Sequence, residues 1–321
     1  MQHFFKALHR HRVNFLALPG VVMVGVGIKT TRGRYTGIPS LLLGVEKKLP
    51  FPDVPRGQMI PSFIDRLPTD VVETGAIRLL GYALPAPAAP PGEEVEFRKQ
   101  KVRPAPPGVS IGHYRVTAGT MGALVKGDFP GGVAILSNNH ILANATDGHD
   151  GLSRAGDPVL QPGPYDGGVP EDIIARLHAY SPLLPEKKGG PPRFNRVDAA
   201  LAIPVETGLV KAPVLGLGPV YRTAPARPGL PVFKSGRSSG VTSGSVFSLA
   251  STIRVDGEEK KYVFEDQIGL SAKSDPGDSG SLVVNQFGRA VGLLFAGSER
   301  QSFANPISSV LEYFRVDLYR E

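Results

Sequence analysis

The sequence predicts a mainly β protein built from two or three compact units. The chain has 321 residues, and compact domains run to roughly 100–200 residues each. Its 39 glycines and 31 prolines make up about 22% of the chain, and these are the two poorest helix formers. Hydrophobic residues reach 41%, enough apolar mass for real cores. From residue 111 onward, short apolar runs recur between Gly, Pro and Asp: GALVK, VAILSN, DPVLQPG, IIARLHAY, AALAIP, PVFKSG, GSVFSLASTIRV, KYVFEDQIGLSA, SLVVN and AVGLLFAG. That spacing is the pattern of an all-β barrel or sandwich.

Residues 4–16 (FFKALHRHRVNFL) have loose helical spacing, with Phe4, Phe5, Leu8, Phe15 and Leu16 on one side. VVMVGVGI (21–28), SLLLGVEKK (40–48) and TDVVETGAIRLL (69–80) read as strands. Residues 1–82 thus read as a small α+β leader domain. Residues 83–110 are rich in proline and read as a semi-rigid linker. The remainder, 111–321, is the large β domain. Its end, NPISSVLEYF (305–314), reads as a helix capped by Asn305 and opened by Pro306.

Cysteine is absent, so disulfide scaffolds, cysteine-based zinc sites and thiol catalysis are all excluded. The N-terminal 29 residues have a basic start but contain Pro19-Gly20 and no small-residue cleavage site. They read as the start of a folded domain. No segment has the 18 or more apolar residues of a membrane span, and a cytoplasmic setting is expected. Net charge is +7, and it resides at the front. Residues 1–82 carry 11 Lys/Arg against 5 Asp/Glu, whereas 111–321 balance at 21 of each. This excess reads as solubility of a small domain, with an acidic partner for the leader as the other reading. Nucleic acid is not expected, since no such motif and no run of five like charges is present.

The chemistry concentrates at DPGDSGSLVV (275–284). A nucleophilic serine needs an exposed hydroxyl and backbone N–H groups converging on one point, and flanking glycines permit that backbone. Ser279 fits, with Gly277 and Ser279 as the N–H donors; a plain turn is the other reading. Serine is weak without a base. Of seven histidines, His140 in VAILSNNHILAN directly follows an apolar strand and opens a short helical turn. An imidazole base needs an acid to orient it. Asp198 in NRVDAALAIP is a lone carboxylate entering an apolar run, where it needs a hydrogen-bond donor. The DGHDG loop (147–151) has close carboxylates but reads as a solvated turn sooner than a calcium site.

Taken together, SNNHILA, VDAALA and GDSGS resemble the histidine, aspartate and serine motifs of chymotrypsin/trypsin-like serine peptidases. The resemblance covers about two-thirds of the chain, from about 111 to 316, and its finer likeness is to bacterial members. KSGRSSGVTSGSV (234–246) resembles a stretch of the lytic-protease branch, and AVGLLFAG with the closing helix resembles narrow-leaf-type trypsin-like proteins.

The resemblance implies two antiparallel β-barrels, near 111–205 and 228–300, with a C-terminal helix at 305–314. It implies an endopeptidase acting on protein or peptide substrates, with no cofactor and no metal. Its alternative is a catalytically silent scaffold working through the basic leader. In the enzyme, Ser279 is the nucleophile, His140 the base and Asp198 its orienting acid, while Gly277 and Ser279 form the oxyanion hole. Asp278 turns inward, and the branch's internal arginine falls at Arg237, so an Arg237–Asp278 ion pair is expected. Phe295, Ala296 and Gly297 line the substrate pocket, with Phe295 where a serine often supports the triad aspartate. Lys273 falls near the pocket floor. There it favours acidic side chains, unless it bends to solvent or pairs with Asp275.

Overall fold

A computed structural model describes residues 1–31, 34–81, 93–187, 189–190 and 192–320. The front holds α1 (Gln2–Leu16), β1 (Val21–Thr31), β2 (Arg34–Val45), β3 (Phe63–Ile64), β4 (Leu67–Glu73) and β5 (Arg78–Leu79), followed by α2 (Glu93–Lys99). The middle holds β6 (Ser110–His113), β7 (Gly119–Thr120), β8 (Ala123–Lys126), β9 (Val133–Ser137), α3 (Asn139–Leu142), β10 (Pro158–Leu160), β11 (Ile173–Tyr180), β12 (Phe194–Asn195) and β13 (Ala200–Pro204). The last part holds β14 (Pro231–Gly236), β15 (Gly240–Asp256), β16 (Lys261–Leu270), β17 (Leu282–Asn285), β18 (Ala290–Gly297), β19 (Ser302–Pro306), α4 (Ile307–Phe314) and β20 (Asp317–Leu318). The protein is mainly β, as the sequence predicts.

Two curled sheets carry the architecture. Among the described residues, the first runs β20-β8-β9-β13-β11-β10-β6-β7. In the second, β14, β15, β16, β19, β18 and β17 pair in a closed ring, since β15 bonds both β14 and β16. Each sheet has its own apolar interior. Ile111, Leu124, Ile135 and Ile174 fill the first, while Val232, Val246, Ile268 and Leu294 belong to the second. A shared cluster joins them, with Leu136 and Leu201 from one side and Leu282 and Leu293 from the other. Helix α4 adds Ile307 and Val310 to this seam. The helix starts one residue after Pro306 without a side-chain cap, so Asn305 is not its cap and serves elsewhere.

The leader is not set apart as a domain of its own. β1 pairs antiparallel with the far half of the 17-residue β15, Met23 opposite Ile253 and Gly27 opposite Ser248. β2 and β4 extend the same sheet outward. Local patterning marks strands but does not reveal which edge they join. VVMVGVGI is apolar on both faces for that reason: its residues 21–27 are all buried. Ala7, Leu8 and Leu16 of α1 belong to the cluster that covers β1, whereas Phe5 points to solvent.

The expected linker also differs. Residues 82–92 lie outside the described residues, but 93–110 are docked on the body. The Arg98 side chain of α2 is fully buried, donating to the Gly108 carbonyl and to Ser235 Oγ. Ala105 to Ser110 are buried as well. A lone charge at the bottom of a helix is costly to bury unless hydrogen-bonded, and these acceptors, with Glu94 at 2.8 Å, supply that partnership.

Candidate active site

The β9–β13 ladder brings His140 and Asp198 together. Ser137 faces Ala200 across it, so the residues just after β9 and just before β13 share one end of the sheet. His140 Nδ1 lies 2.5 Å from Asp198 Oδ2, and the His140 backbone N–H donates to Asp198 Oδ1 at 3.2 Å. Both side chains are fully buried. Two asparagines unsuspected from the sequence hold the aspartate backbone. Asn138 Nδ2 donates to the Asp198 carbonyl at 2.7 Å, and the Asp198 N–H donates to Asn305 Oδ1. The charge of this carboxylate is felt at Tyr262 on β16. Burial first, and then the Asp198 charge, pushes its phenol up to about 12.

The turn before β17 carries Gly277, Asp278 and Ser279. Gly277 and Gly280 have φ of +99° and +94°, the left-handed region that glycine tolerates best. The first sheet clamps this turn: the Thr120 N–H donates to the Ser279 carbonyl at 2.7 Å, and Thr120 Oγ1 to the Gly277 carbonyl at 2.9 Å. Ser279 Oγ donates to the Phe295 carbonyl at 3.0 Å.

Asp278 turns inward and is fully buried, but its ion pair is not with Arg237. Lys234 Nζ sits 2.8 Å from Asp278 Oδ2, with the two side chains 1% and 0% exposed. The Ser238 and Ser239 N–H groups donate to Oδ1 at 2.9 and 3.1 Å, and Ser239 Oγ and the Asp275 N–H donate to Oδ2. Burial alone would raise this carboxyl's pKa, yet the Lys234 ammonium and the surrounding donors hold it below its ordinary value. Side chains on a strand alternate faces. Lys234 lies within β14 on the face that meets Asp278, whereas Arg237 follows the end of the strand at Gly236 and runs past Gly277. Arg237 instead grips Asp166, in the turn between β10 and β11, through Nε, at 2.7 Å, and Nη2. Gly236 makes the approach possible, because a Cβ there would fall 2.2 Å from Asp278 Oδ1.

Phe295, Ala296 and Gly297 end β18 and are buried, and Phe295 keeps its side chain in an aromatic contact with Phe264 at 4.6 Å. No hydroxyl supports Asp198 from that position; the Asn305 contact anchors its backbone. Lys273 does not floor a pocket. Its side chain is 77% exposed, with Nζ 3.7 Å from Asp275. A long ammonium stem is cheaper in water than under a sheet, so Lys273 gives a buried pocket no cation to favour acidic side chains. In the DGHDG loop, Asp150 accepts from Thr146 Oγ1 at 2.6 Å and from Lys260 Nζ at 3.3 Å, while Asp147 accepts from the His149 N–H. Its carboxylates close the turn itself.

A segment of the leader covers the site. β5 pairs with the end of β18 in antiparallel register, Leu79 opposite Ala296 and Arg78 opposite Gly297. The Leu80 N–H donates to the Phe295 carbonyl at 3.2 Å, and the Gly277 N–H donates to the Leu80 carbonyl at 2.5 Å. Next comes Gly81, packed on the imidazole: a Cβ there would meet His140 Cδ2 at 2.4 Å and Nε2 at 2.8 Å. Thr117 Oγ1 donates to the Gly81 carbonyl. His140 and the Ser279 turn therefore border one peptide unit, Leu80–Gly81.

No family model matches the chain, and no curated protein matches it in sequence. Solved structures do. Thermobifida fusca protease A is 17% identical at a TM-score of 0.49, over 68% of this chain and 100% of its own. Cellulomonas bogoriensis chymotrypsin is 17% identical at 0.46, over 67% and 98%. A Nocardiopsis protease is 15% identical at 0.45, over 67% and 100%. The chain is similar in structure to bacterial chymotrypsin-like serine proteases, at identities that carry no residue's role across.

Proposed function

We propose that the protein is a serine endopeptidase. One observation carries this reading. A buried imidazole is bonded to a buried carboxylate on one nitrogen, and it faces a peptide unit whose carbonyl is held by the Gly277 N–H. That is the arrangement acyl transfer needs.

Ser279 is the nucleophile. Its Oγ turns from the Phe295 carbonyl by a change of χ1 rotamer and attacks the carbonyl carbon of the bound peptide. His140 accepts the hydroxyl proton and later delivers it to the leaving nitrogen. Asp198, fixed by Asn138 and Asn305, keeps the imidazole in the required tautomer and stabilises its charged form. The Gly277 and Ser279 N–H groups hold the developing oxyanion, a task worth about 2.7–4 kcal/mol per donor in comparable sites. The Lys234–Asp278 pair keeps that turn open without a new chain terminus. Water then releases the acyl group. Substrates are proteins or peptides, and neither metal nor cofactor enters any step. The cysteine-free composition fits a cytoplasmic setting.

The test is a fluorophosphonate probe, which phosphonylates an activated serine with loss of fluoride. It is applied to the full chain and to its Leu80→Asp variant, in which the segment over the site loses its apolar seat. Labelling should map to Ser279 and vanish in Ser279→Ala and His140→Ala. Absence of Ser279 labelling in both the full chain and Leu80→Asp overturns the reading.

A further inference from the structure

The leader lies in the site the way a substrate does. Its strand direction is antiparallel to β18, its Leu80 carbonyl is on the Gly277 N–H, and the next residue, Gly81, packs against His140. From this we infer that the chain cuts its own Leu80–Gly81 bond, and that the enzyme's preference is for leucine-like apolar side chains immediately before the cut. The inference rests on the peptidase reading above.

The polar contacts run along the whole segment. The Asp256 N–H donates to the Ile77 carbonyl at 2.9 Å, and Arg78 lies opposite both Asp256 and Gly297. The Leu80 N–H and the Ser279 hydroxyl share one acceptor, the Phe295 carbonyl. A carbonyl oxygen has two lone pairs, so both bonds form together, and the serine sits beside the peptide it would attack. The Gly277 N–H polarises the Leu80 carbonyl. The Thr117 hydroxyl on the Gly81 carbonyl fixes the far side of the bond.

Side chains add selectivity. Leu80 is 5% exposed and belongs to the apolar cluster of the second sheet with Val246, Ile268 and Ala272. Its Cδ1 would be 3.3 Å from a Cβ built on Gly297, so glycine there makes room for the leucine. The hydroxyls near the entrance are already used: Ser274 Oγ and Ser302 Oγ lie 2.6 Å apart, and Ser302 Oγ donates to the Ala272 carbonyl. With Lys273 in solvent, the described pocket offers an acidic side chain no cationic partner. Gly81 is equally constrained, because any larger residue would push into the imidazole.

The step balances with water as the co-reactant. The Ser279 Oγ–C bond to Leu80 forms, and the Leu80 C–Gly81 N bond breaks. The serine proton passes through His140 to the Gly81 nitrogen, which leaves as an amine. Water then hydrolyses the ester and leaves a Leu80 carboxylate. Until this happens, His140, Asp198 and Ser279 are all fully buried, and other peptides have no path to them. Peptidase activity on other substrates is therefore gated by the leader.

The experiment follows the purified full chain by intact mass and N-terminal sequencing. Expected is a Ser279-dependent split into 1–80 and 81–321, with Gly81 as the new N-terminus. Its rate should be independent of protein concentration, as an intramolecular step requires. Gly81→Ala should slow it at least tenfold. Leu80→Asp should remain uncut at this bond, while its Ser279 labels faster with the fluorophosphonate than that of Ser279-intact, uncut wild type. The processed protein should cut the peptide AIRLLGYA after its second leucine, and should spare AIRLEGYA. Should Leu80→Asp fail to fold, Gly81→Ala and the peptides still decide. If Ser279 is labelled yet the full chain stays intact at 80–81, or splits elsewhere, the self-cutting inference is overturned and the peptidase reading stands. If AIRLEGYA is cut in preference, the apolar preference is overturned. If Ser279 is never labelled in any form, the peptidase reading itself fails.

Discussion

Replacing Lys234 by methionine isolates what the buried ammonium does for the Ser279 turn. Methionine keeps most of the stem's volume, so packing changes little, but Asp278 is left fully buried without its cation. Breaking a buried pair from one side costs about 3–5 kcal/mol. Two N–H groups on Oδ1, with Ser239 Oγ and the Asp275 N–H on Oδ2, still solvate the carboxylate, which favours the lower end, about 3 kcal/mol. At roughly 2 °C per kcal/mol for a chain of this size, the melting temperature should fall by about 6 °C.

The pH dependence gives the decisive signature. In the native protein the Asp278 pKa is held below its ordinary value. Its contribution to stability is therefore present above the unfolded value, about 3.9, and is lost as pH falls through the folded value. In Lys234→Met, burial acts unopposed by the ammonium and pushes the carboxyl up. The deficit should then be full at neutral pH and shrink as pH falls through the raised value. Melting followed by circular dichroism from pH 4 to 8 measures this, and Lys234→Met/Asp278→Asn should recover most of the loss. A deficit below about 1 kcal/mol, the range of an exposed ion pair, or one that does not change with pH, refutes the assignment of Lys234 as the partner.

Three further outcomes follow. In a Leu80→Asp background, Ser279→Ala or His140→Ala should lower kcat on a leucine peptide by a factor on the order of 10⁶, and Asp198→Asn by about 10⁴, with folding unchanged; residual turnover in a clean Ser279→Ala preparation would contradict the triad. Arg237→Ala should destabilise by about 3–5 kcal/mol by stranding the buried Asp166, while Ser279 labelling in the folded protein keeps its rate; loss of labelling without unfolding would restore Arg237 to the turn. Limited proteolysis should leave residues 93–110 attached to the body, because Arg98 and Ala105–Ser110 are buried; a stable fragment starting between about 100 and 112 would contradict this docking.

What the sequence disclosed was local. The alternation of short apolar runs located the strands, and the flanks of His140, Asp198 and Ser279 marked them as candidates, because turns and strand ends are written in a few adjacent residues. Side-chain partners across the fold were less accessible. KSGRSSG contains two cations, and nothing within that stretch says that Lys234, inside β14, reaches Asp278 while Arg237, just past the strand's end, reaches Asp166. Asn305 has the composition of a helix cap, yet its carbonyl oxygen goes to the Asp198 N–H, a contact 107 residues distant. TDVVETGAIRLL reads as one strand, but it breaks after Glu73 and resumes at Arg78. Its second piece owes its conformation to β15 and β18, and no pattern within those 12 residues encodes that. The docking of α2 hinges on one buried arginine, which composition files among the solvent-facing charges.

The long strand β15 has two neighbours in succession on one side, β14 for its first residues and β1 for its later ones. Remove the leader and the stretch from Ser248 to Ile253 keeps β16 on its other side but presents unpaired amides and carbonyls where β1 had been. Such a margin invites pairing with any extended chain. The leader thus doubles as a cover for an adhesive border, and any shortened form lacking residues 1–45 would be expected to self-associate unless charge or another strand takes over that border.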